Sequence, residues 1–197
     1  RKAFNASLGM TSSQWGGLFF VKNREEFDEQ WDCVFRGIRK PMDEKGKLAC
    51  AWGTKMEDHA IRHFLARNST FWITEAQFTI SHMPGLGSSP DGLFYDTETG
   101  KSGVVEIKCP YANGKKTLYP KPPYYYIPQQ HMHMACMNMD KSLFVQFGYY
   151  RKKERHRAYI FDFDATCWQL MMSVKDSFSK KNYELFLSDI SRLKSCC

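Results

Sequence analysis

Apolar positions at helical spacing characterise the first 50 residues of the chain. Ser12 or Ser13 can cap a short apolar helix, and Asn23 precedes a second apolar run with helical periodicity. The stretch from Pro41 to Lys47 is polar and is predicted to form a turn. Residues 1–50 are therefore predicted to be mostly helical.

The centre of the chain is predicted to be rich in strands. Residues 71–80 combine β-branched and aromatic side chains, and a hairpin is predicted from Leu93–Asp96 and Gly103–Cys109, ended by Pro110. Further elements are predicted as a helix over 128–139, strands over 143–149 and 158–163, and a C-terminal helix over about 166–187. Because no repeat or linker divides the sequence, it predicts one α/β domain over 1–197, with a mixed central β-sheet flanked by helices.

One acidic residue lies within the apolar stripe of a helix predicted from Gly53 to Leu65. On a helical wheel with about 100° per residue, Glu57 shares a face with Ala60, Ile61 and Phe64. The opposite half carries polar residues, namely Asp58, His59, Arg62 and His63. A carboxylate that faces the body of a protein is costly unless it meets a cation. Glu57 is therefore expected either to form a salt bridge with a buried Arg or Lys or to belong to a metal-dependent site.

The central hairpin brings two more carboxylates together. If Asp96 pairs with Lys101 across a four-residue turn, Asp91 lies opposite Glu106, and opposed side chains of an antiparallel pair point to the same face. Lys108 shares this face because strand side chains alternate. A bulge at the glycine after Asp91 would shift the register by one residue.

These groups suit a hard divalent cation. Two carboxylates and the backbone carbonyl of Ile107 are oxygen ligands of the kind that Mg²⁺ or Mn²⁺ prefers, and a cation removes the repulsion between the carboxylates. Such a cation polarises a phosphoryl oxygen and lowers the pKa of a bound water, and Lys108 can orient that water or stabilise charge on the phosphate. The same residues also fit an ordinary surface strand with a cross-strand ion pair.

Four sequence motifs resemble, in order and spacing, those of one nuclease family. They are Trp52-Gly53-x-x-x-Glu57-x-x-Ala60, Ser89-Pro90-Asp91-Gly92, Glu106-Ile107-Lys108-Cys109-Pro110, and Tyr126-Ile127-Pro128-Gln129 before a Met-rich helix. The chain resembles the YqaJ-type viral recombinase family, the phage lambda exonuclease-like branch of the PD-(D/E)XK nucleases. This resemblance covers roughly residues 50–175 and implies a restriction-endonuclease-like catalytic core there.

The resemblance also implies a role for each motif residue. Asp91, Glu106 and the carbonyl of Ile107 are expected to bind the catalytic metal. Lys108 is expected to serve the attacking water, and Glu57 to be a further acidic residue near the metal. Gln129 is expected to orient the site from the facing helix with support from Tyr126, which is also a candidate substrate contact. The catalytic set is therefore Glu57, Asp91, Glu106, Lys108 and Gln129.

Two segments depart from the pattern of the family. His131 stands where relatives often have a second Gln, so no second-Gln role is assigned. Gly9-Met10-Thr11-Ser12-Ser13 resembles the family's I-T-A-S element, which implies that Ser12 and Ser13 bind substrate, and Ser89 is a further candidate substrate contact. The Arg that usually precedes the element is absent, which leaves recognition of a 5′-phosphate open.

Two basic segments are candidates for nucleic-acid contacts. The chain has 28 Lys and Arg against 21 Asp and Glu, a net charge of +7, which favours a polyanionic partner. Lys115 and Lys116, interleaved with tyrosines, suit a groove that follows a phosphate backbone and stacks an unpaired base, although the tyrosines could instead pack under the loop. The run from Arg151 to Arg157 forms either a solvated turn or a phosphate contact with duplex DNA.

Cysteine usage and hydropathy bear on the compartment. Seven cysteines without a CxxC pair indicate free thiols in a reducing intracellular setting, cytoplasm or nucleus. No stretch approaches the about 20 apolar residues of a transmembrane helix, so no membrane association is expected. His131 and His133 lie about 200° apart on a helix, so they cannot bind one metal together and are interpreted as structural.

The residues and the resemblance together predict a Mg²⁺- or Mn²⁺-dependent deoxyribonuclease, namely a 5′→3′ exonuclease on linear double-stranded DNA in recombination or repair. The alternatives are an RNA-cleaving or structure-specific endonuclease on the same scaffold and a non-cleaving DNA-binding module. The resemblance further implies a ring-shaped homotrimer and a single-strand annealing or recombination protein as partner.

Overall fold

A computed structural model describes residues 9–111, 118–150 and 152–196 of the chain. The helices are α1 (Trp15–Leu18), α2 (Arg24–Phe35), α3 (Glu44–Leu65), α4 (Ile127–Met137), α5 (Ala165–Ser179) and α6 (Tyr183–Cys196). The strands are β1 (Met10–Thr11), β2 (Phe71–Thr74), β3 (Thr79–Ile80), β4 (Leu86–Ser88), β5 (Gly92–Asp96), β6 (Ser102–Lys108), β7 (Lys141–Tyr150) and β8 (Lys153–Asp162).

The main sheet is mixed and has the strand order β2-β5-β6-β7-β8. Strands β6 and β7 are parallel, whereas the other neighbours are antiparallel. Helix α3 packs on one face through Met56, Ala60 and Phe64, which contact apolar residues of β5, β6 and β7. Helix α4 lies on the other face, where Gln130 accepts a hydrogen bond from Ser142 of β7. This arrangement confirms the predicted α/β fold with helices flanking a mixed sheet.

The strand predicted over 71–80 is divided between two sheets. Strand β2 is an edge of the main sheet, whereas β3 pairs with β4 in a smaller sheet of order β1-β4-β3. The break falls on residues 75–78, where Glu75 and Gln77 interrupt the β-branched and aromatic residues and have low strand propensity. The small sheet matters for the site because β4 leads directly into Asp91.

Residues 44–47 were predicted to belong to a turn, and that prediction is wrong because they form the first turn of α3. The helix begins at Glu44, where the side chain of Asp43 accepts a hydrogen bond of 2.8 Å from the amide of Gly46 and caps the helix. The helix predicted after Asn23 is confirmed as α2, and the side chain of Asn23 caps it by accepting a hydrogen bond of 2.9 Å from the amide of Glu26. Polar residues thus begin both helices.

The predicted C-terminal helix over about 166–187 is two helices, α5 and α6. Lys181 has a φ of 55°, and this left-handed residue ends α5 and lets the chain reverse. Together α2, α5 and α6 enclose a cluster of rings in which Phe27 packs against Phe178 and Phe186. Among residues 9–111, 118–150 and 152–196, no helix combines the length and apolar character needed to cross a bilayer.

Candidate active site

The predicted register of the central hairpin is confirmed. Gly92 pairs with Val105, the amide of Asp91 donates to the carbonyl of Val105 at 2.9 Å, and no bulge shifts the pairing. At the turn, the amide of Asp96 donates to the carbonyl of Lys101 at 2.8 Å. Asp91 therefore lies at the start of β5 opposite Glu106 of β6.

Glu106 is the most enclosed charged group of the site, with 3% of its surface exposed. One carboxylate oxygen, Oε1, accepts a hydrogen bond of 2.7 Å from Nε2 of Gln129 and forms an ion pair with Lys108. The other oxygen, Oε2, lies 2.8 Å from Nε2 of the fully buried His133. Within the described residues neither of these two atoms has a well-aligned hydrogen-bond partner. Two residues of α4, Gln129 and His133, thus contact Glu106 on the face of the sheet opposite α3.

His133 is a site residue that sequence reasoning missed by interpreting it as structural. Its Nδ1 lies 2.6 Å from the hydroxyl of Ser88, so it connects β4 to Glu106. The signal was its spacing of four residues from Gln129, which places both side chains on one face of a helix. His131 does have structural contacts, because its Nε2 accepts a hydrogen bond from the amide of Asp164 at 3.1 Å.

Asp91 is half-buried, and its surroundings oppose ionisation. Burial and the nearby charge of Glu106 raise the pKa of Asp91 to about 8, although Lys108 acts in the opposite direction. Its Oδ2 accepts a hydrogen bond of 2.6 Å from the amide of Ile107. The side chain of Ile107 points into the core as predicted, with 4% of the residue exposed.

Lys108 stabilises the charge of Glu106. Although burial opposes ionisation of Glu106, Lys108 and His133 hold its pKa down at about 2. Burial likewise opposes the charged form of Lys108, but the carboxylates of Glu106 and Asp91 raise its pKa above the ordinary value. The ammonium group lies 5.5 Å from the centre of the Tyr126 ring, so Tyr126 contacts the site through a cation–π interaction.

Glu57 lies at the edge of the buried stripe of α3, not in its middle. The buried residues of α3 are Met56, Ala60, His63 and Phe64, whereas Glu57 is only half-buried. The wheel prediction was wrong for His63, because this side chain packs against Phe147 and lies 3.1 Å from His156 of β8. Glu57 is nevertheless close enough for its charge to raise the pKa of Asp91.

The donor set fits a divalent cation at Asp91 and Glu106. Among the described residues, the buried Oε2 of Glu106 lacks an aligned hydrogen-bond donor, and burial together with the repulsion from Glu106 raises the pKa of Asp91. Across the described parts of the chain, no three His, Cys, Asp or Glu side chains are grouped to hold a metal. A cation here would therefore take two carboxylates, with the carbonyl of Ile107 and water completing its shell.

The structure gives the candidate substrate contacts different surroundings. Ser89 is half-buried two residues before Asp91. Ser12 is buried at the start of a short 3₁₀ turn, and Ser13 lines a cavity of about 730 Å³ whose walls include Gln14 and residues of α2 but not Asp91 or Glu106. Lys115 and Lys116 lie outside the described residues.

Comparison with known proteins identifies the family. The family model of the YqaJ-like viral recombinase domain matches residues 7–140. No curated protein matches the chain. An alkaline exonuclease from Laribacter hongkongensis (LHK-Exo) superposes with a TM-score of 0.61 at 23% identity, covering 100% of this chain and 97% of that protein. Its complex with dAMP gives a TM-score of 0.60 at 22% identity, with the same coverage.

A second similar structure is a phage-related exonuclease from Haemophilus somnus 129PT. It superposes with a TM-score of 0.57 at 10% identity and covers 95% of this chain and 94% of that protein. The fold is therefore the one found in these exonucleases. Because the family model matches more than half of the sequence, the chain belongs to the YqaJ-like viral recombinase family.

Proposed function

We propose that the protein is a Mg²⁺- or Mn²⁺-dependent deoxyribonuclease that degrades linear double-stranded DNA from its 5′ ends during recombination or repair. The observation that carries the proposal is the carboxylate pair Asp91 and Glu106 with Lys108 beside it, at the place where the family motif predicts a catalytic centre. Membership of a recombinase family and the exonuclease fold support the same reaction class.

Asp91, Glu106 and the carbonyl of Ile107 would hold the cation. When bound, it polarises the scissile phosphate and lowers the pKa of an attacking water. The amide of Ile107 fixes the carboxylate of Asp91, while Gln129 fixes that of Glu106. The protein thus presents two oriented carboxyl groups before any cation binds, which reduces the reorganisation needed on binding.

Lys108 acts in this proposal as a permanent cation. Since the neighbouring carboxylates raise its pKa, Lys108 keeps its proton at neutral pH in the metal-free protein. It can donate hydrogen bonds to the attacking water and stabilise negative charge on the phosphate in the transition state. Its contacts with Glu106 and Tyr126 hold the ammonium group in place. Glu57 adds negative charge near Asp91, so a cation bound there would be stabilised further.

The deciding experiment is a digestion assay with and without Mg²⁺. Substrates are linear duplexes with a 5′-phosphate or a 5′-hydroxyl, a closed circular duplex, and RNA, and the Asp91→Asn protein is the control. We expect mononucleotides from the 5′-phosphorylated linear duplex only when metal is present. Cleavage of the circle or of RNA would favour the endonuclease alternatives, and duplex binding without cleavage of any substrate would favour a non-cleaving module.

The same proposal includes a ring-shaped homotrimer, an annealing or recombination protein as partner, and an intracellular location. A trimer would enclose the duplex and make digestion processive. Light scattering of the purified protein gives its mass in solution, and digestion under an excess of competitor duplex shows whether single molecules are degraded to completion. A monomer that releases its substrate after each cleavage would contradict the trimeric part while leaving the chemistry intact.

A further inference from the structure

We infer that the β7–β8 hairpin is an arm that binds the phosphates of the duplex adjacent to the scissile bond. This inference rests on the proposed function, because it names the surface that positions the substrate of the same site. The arm is defined as residues 147–150 of β7 and 153–156 of β8. From the sequence, the basic run from Arg151 to Arg157 was interpreted either as a solvated turn or as a phosphate contact with duplex DNA.

The pairing register connects the arm to the catalytic strand. Lys108 of β6 is aligned with Gln146 of β7, and Gln146 is aligned with Arg157 of β8. Aligned residues of neighbouring strands point to the same face, so Arg157 shares the face of Lys108, two strands or about 10 Å away. Because side chains alternate along a strand, Arg155 and Lys153 continue this line along β8.

The arm extends beyond the end of the catalytic strand. Strand β6 ends at Lys108, but β7 and β8 remain paired through Tyr150 and Lys153, four residue pairs farther. At about 3.3 Å per residue, the arm projects about 13 Å past the site. The basic residues of β8 therefore lie on strand positions with fixed directions, not in a loose turn as the sequence pattern allowed.

The opposite face of the arm is packed, which holds the cations in position. Glu154 contacts Nε2 of His59 on α3 at 2.9 Å, and His156 contacts His63 of the same helix. Phe147 adds ring contacts with both histidines of α3. The arm is thus supported on the α3 side, and its basic side chains lie on the side of the active site.

The cations of this line are exposed and available to an anion. Lys153, Arg155 and Arg157 are all exposed. Within the part of the chain that the structure describes, none of the three forms an ion pair with a carboxylate, whereas Arg157 donates to the carbonyl oxygens of Tyr119 and Pro120. A row of unpaired cations on a supported strand, beginning level with Lys108, is complementary to the backbone of a duplex that enters the site.

The test is the salt dependence of duplex binding by the full chain in EDTA, where no cleavage occurs. The probe is a blunt duplex of about 20 base pairs, which is about 68 Å long and spans site and arm. Lys153→Gln/Arg155→Gln removes two cations that have no hydrogen bond to the protein among the described residues. The matched control, Lys101→Gln/Lys141→Gln, removes two cations at the opposite end of the same sheet.

We expect the slope of log K against log salt to fall in magnitude by about 1.8 in Lys153→Gln/Arg155→Gln, since each lost phosphate contact contributes about 0.9. The control should keep the wild-type slope, and Arg155→Lys should also keep it because the charge is conserved. An unchanged slope in the double variant, or an equal fall in the control, would overturn the inference. If the double variant does not fold, the single variant Arg155→Gln is tested instead, and the slope is expected to fall in magnitude by about 0.9.

The experiments distinguish failure of the inference about the arm from failure of the proposed nuclease function. The slopes are measured without metal, so they remain readable even if the wild-type protein cleaves no nucleic acid. Conversely, metal-dependent cleavage by the wild-type protein together with unchanged slopes would remove the arm from the interface and leave the nuclease proposal standing.

Discussion

Gln129 and His133 lie one helical turn apart on α4 and approach different oxygens of the same carboxylate. Nε2 of Gln129 is 2.7 Å from Oε1 of Glu106, and Nε2 of His133 is 2.8 Å from Oε2. Because Gln129 donates to one oxygen and the buried imidazole of His133 packs against the other, the carboxylate cannot rotate freely. The orientation of Glu106 is thus set by α4, which is not the element that carries it.

His133→Ala should weaken metal binding by about 10- to 100-fold, because groups that orient a metal ligand typically contribute that much. Titration with Mn²⁺, followed by the electron paramagnetic resonance signal of the free ion, measures this affinity directly. His133→Gln should restore part of the loss. His131→Ala is the matched control, since its contacts are with Ile127 and Asp164. Equal affinities of the His133→Ala and wild-type proteins would refute the role of His133.

Asp91→Asn should reduce the rate of DNA cleavage by at least about 100-fold while duplex binding in EDTA persists. The substitution keeps the shape of the side chain and removes the charge that the cation needs. Single-turnover cleavage at saturating Mg²⁺ provides the measurement. Wild-type rates in this variant, or cleavage by the wild-type protein in excess EDTA, would contradict the proposed mechanism.

Lys108→Met should lower kcat by about 100- to 1000-fold, because one preorganised donor to the transition state is lost. The concentration of Mg²⁺ that gives half-maximal rate should change much less, since Lys108 is not a metal ligand. Lys101→Met, at the other end of β6, is the control and should cleave normally. A parallel loss in both variants would indicate a general charge effect.

The stability of the metal-free protein should fall as the pH rises from 7 to about 8. The folded state holds a proton on Asp91 up to about pH 8, whereas the unfolded chain releases it near the ordinary pKa of 3.8. The folded state therefore binds more protons in this window, and the free energy of unfolding decreases by up to about 1.4 kcal/mol per pH unit. Above pH 8 this effect ends.

Urea unfolding in EDTA at several pH values between 7 and 8, below the range in which thiols of the unfolded chain titrate, measures this dependence. This range is chosen because His63 and His156, whose pKa values are lowered by burial, stay neutral throughout. Asp91→Asn should abolish the decrease, and saturating Mn²⁺ should reverse it because the cation competes with the proton. A wild-type profile that stays flat in EDTA would show that Asp91 titrates normally.

Two Gly→Ala substitutions should have opposite effects on the free energy of unfolding. A Cβ at Gly103 would collide with the carbonyl of Lys141 on the neighbouring strand, so this substitution should cost about 1–3 kcal/mol or more. A Cβ at Gly53 meets nothing within 4 Å, and alanine there should stabilise α3 by about 0.5–1 kcal/mol. Chemical denaturation of both variants measures their free energies of unfolding. A Gly103→Ala protein as stable as the wild type would contradict the close approach of β6 and β7 at this position.

The hairpin at the centre of the site could be predicted because its information is local. A four-residue turn and the alternation of side chains fix the partners of Asp91 and Lys101, and the structure has that register. The four motifs also lie on the predicted kinds of elements. The geometry of the hairpin and of the motifs depends mainly on residues that are close in the sequence.

The predictions were wrong where the structure of a residue depends on contacts with a distant part of the chain. Whether His63 is buried depends on His156, 93 residues later, and the helical wheel contains no information about that strand. The end of α5 at Ser179 has no Gly or Pro signal, because a lysine, Lys181, adopts the left-handed conformation that follows the helix. For His133, the spacing from Gln129 was the one sequence signal, and its role depends on Glu106, which lies on a distant strand.

The chain passes from one sheet to the other at Ser89 and Pro90, immediately before Asp91. Asp91 and Glu106 are both held by the main sheet, whereas the small sheet reaches the carboxylate pair through Ser88 of β4, whose hydroxyl lies 2.6 Å from Nδ1 of His133. Substitutions that loosen the buried residues Met10 or Leu86 should consequently weaken cation binding by displacing Ser88 and His133, although neither side chain touches metal or substrate.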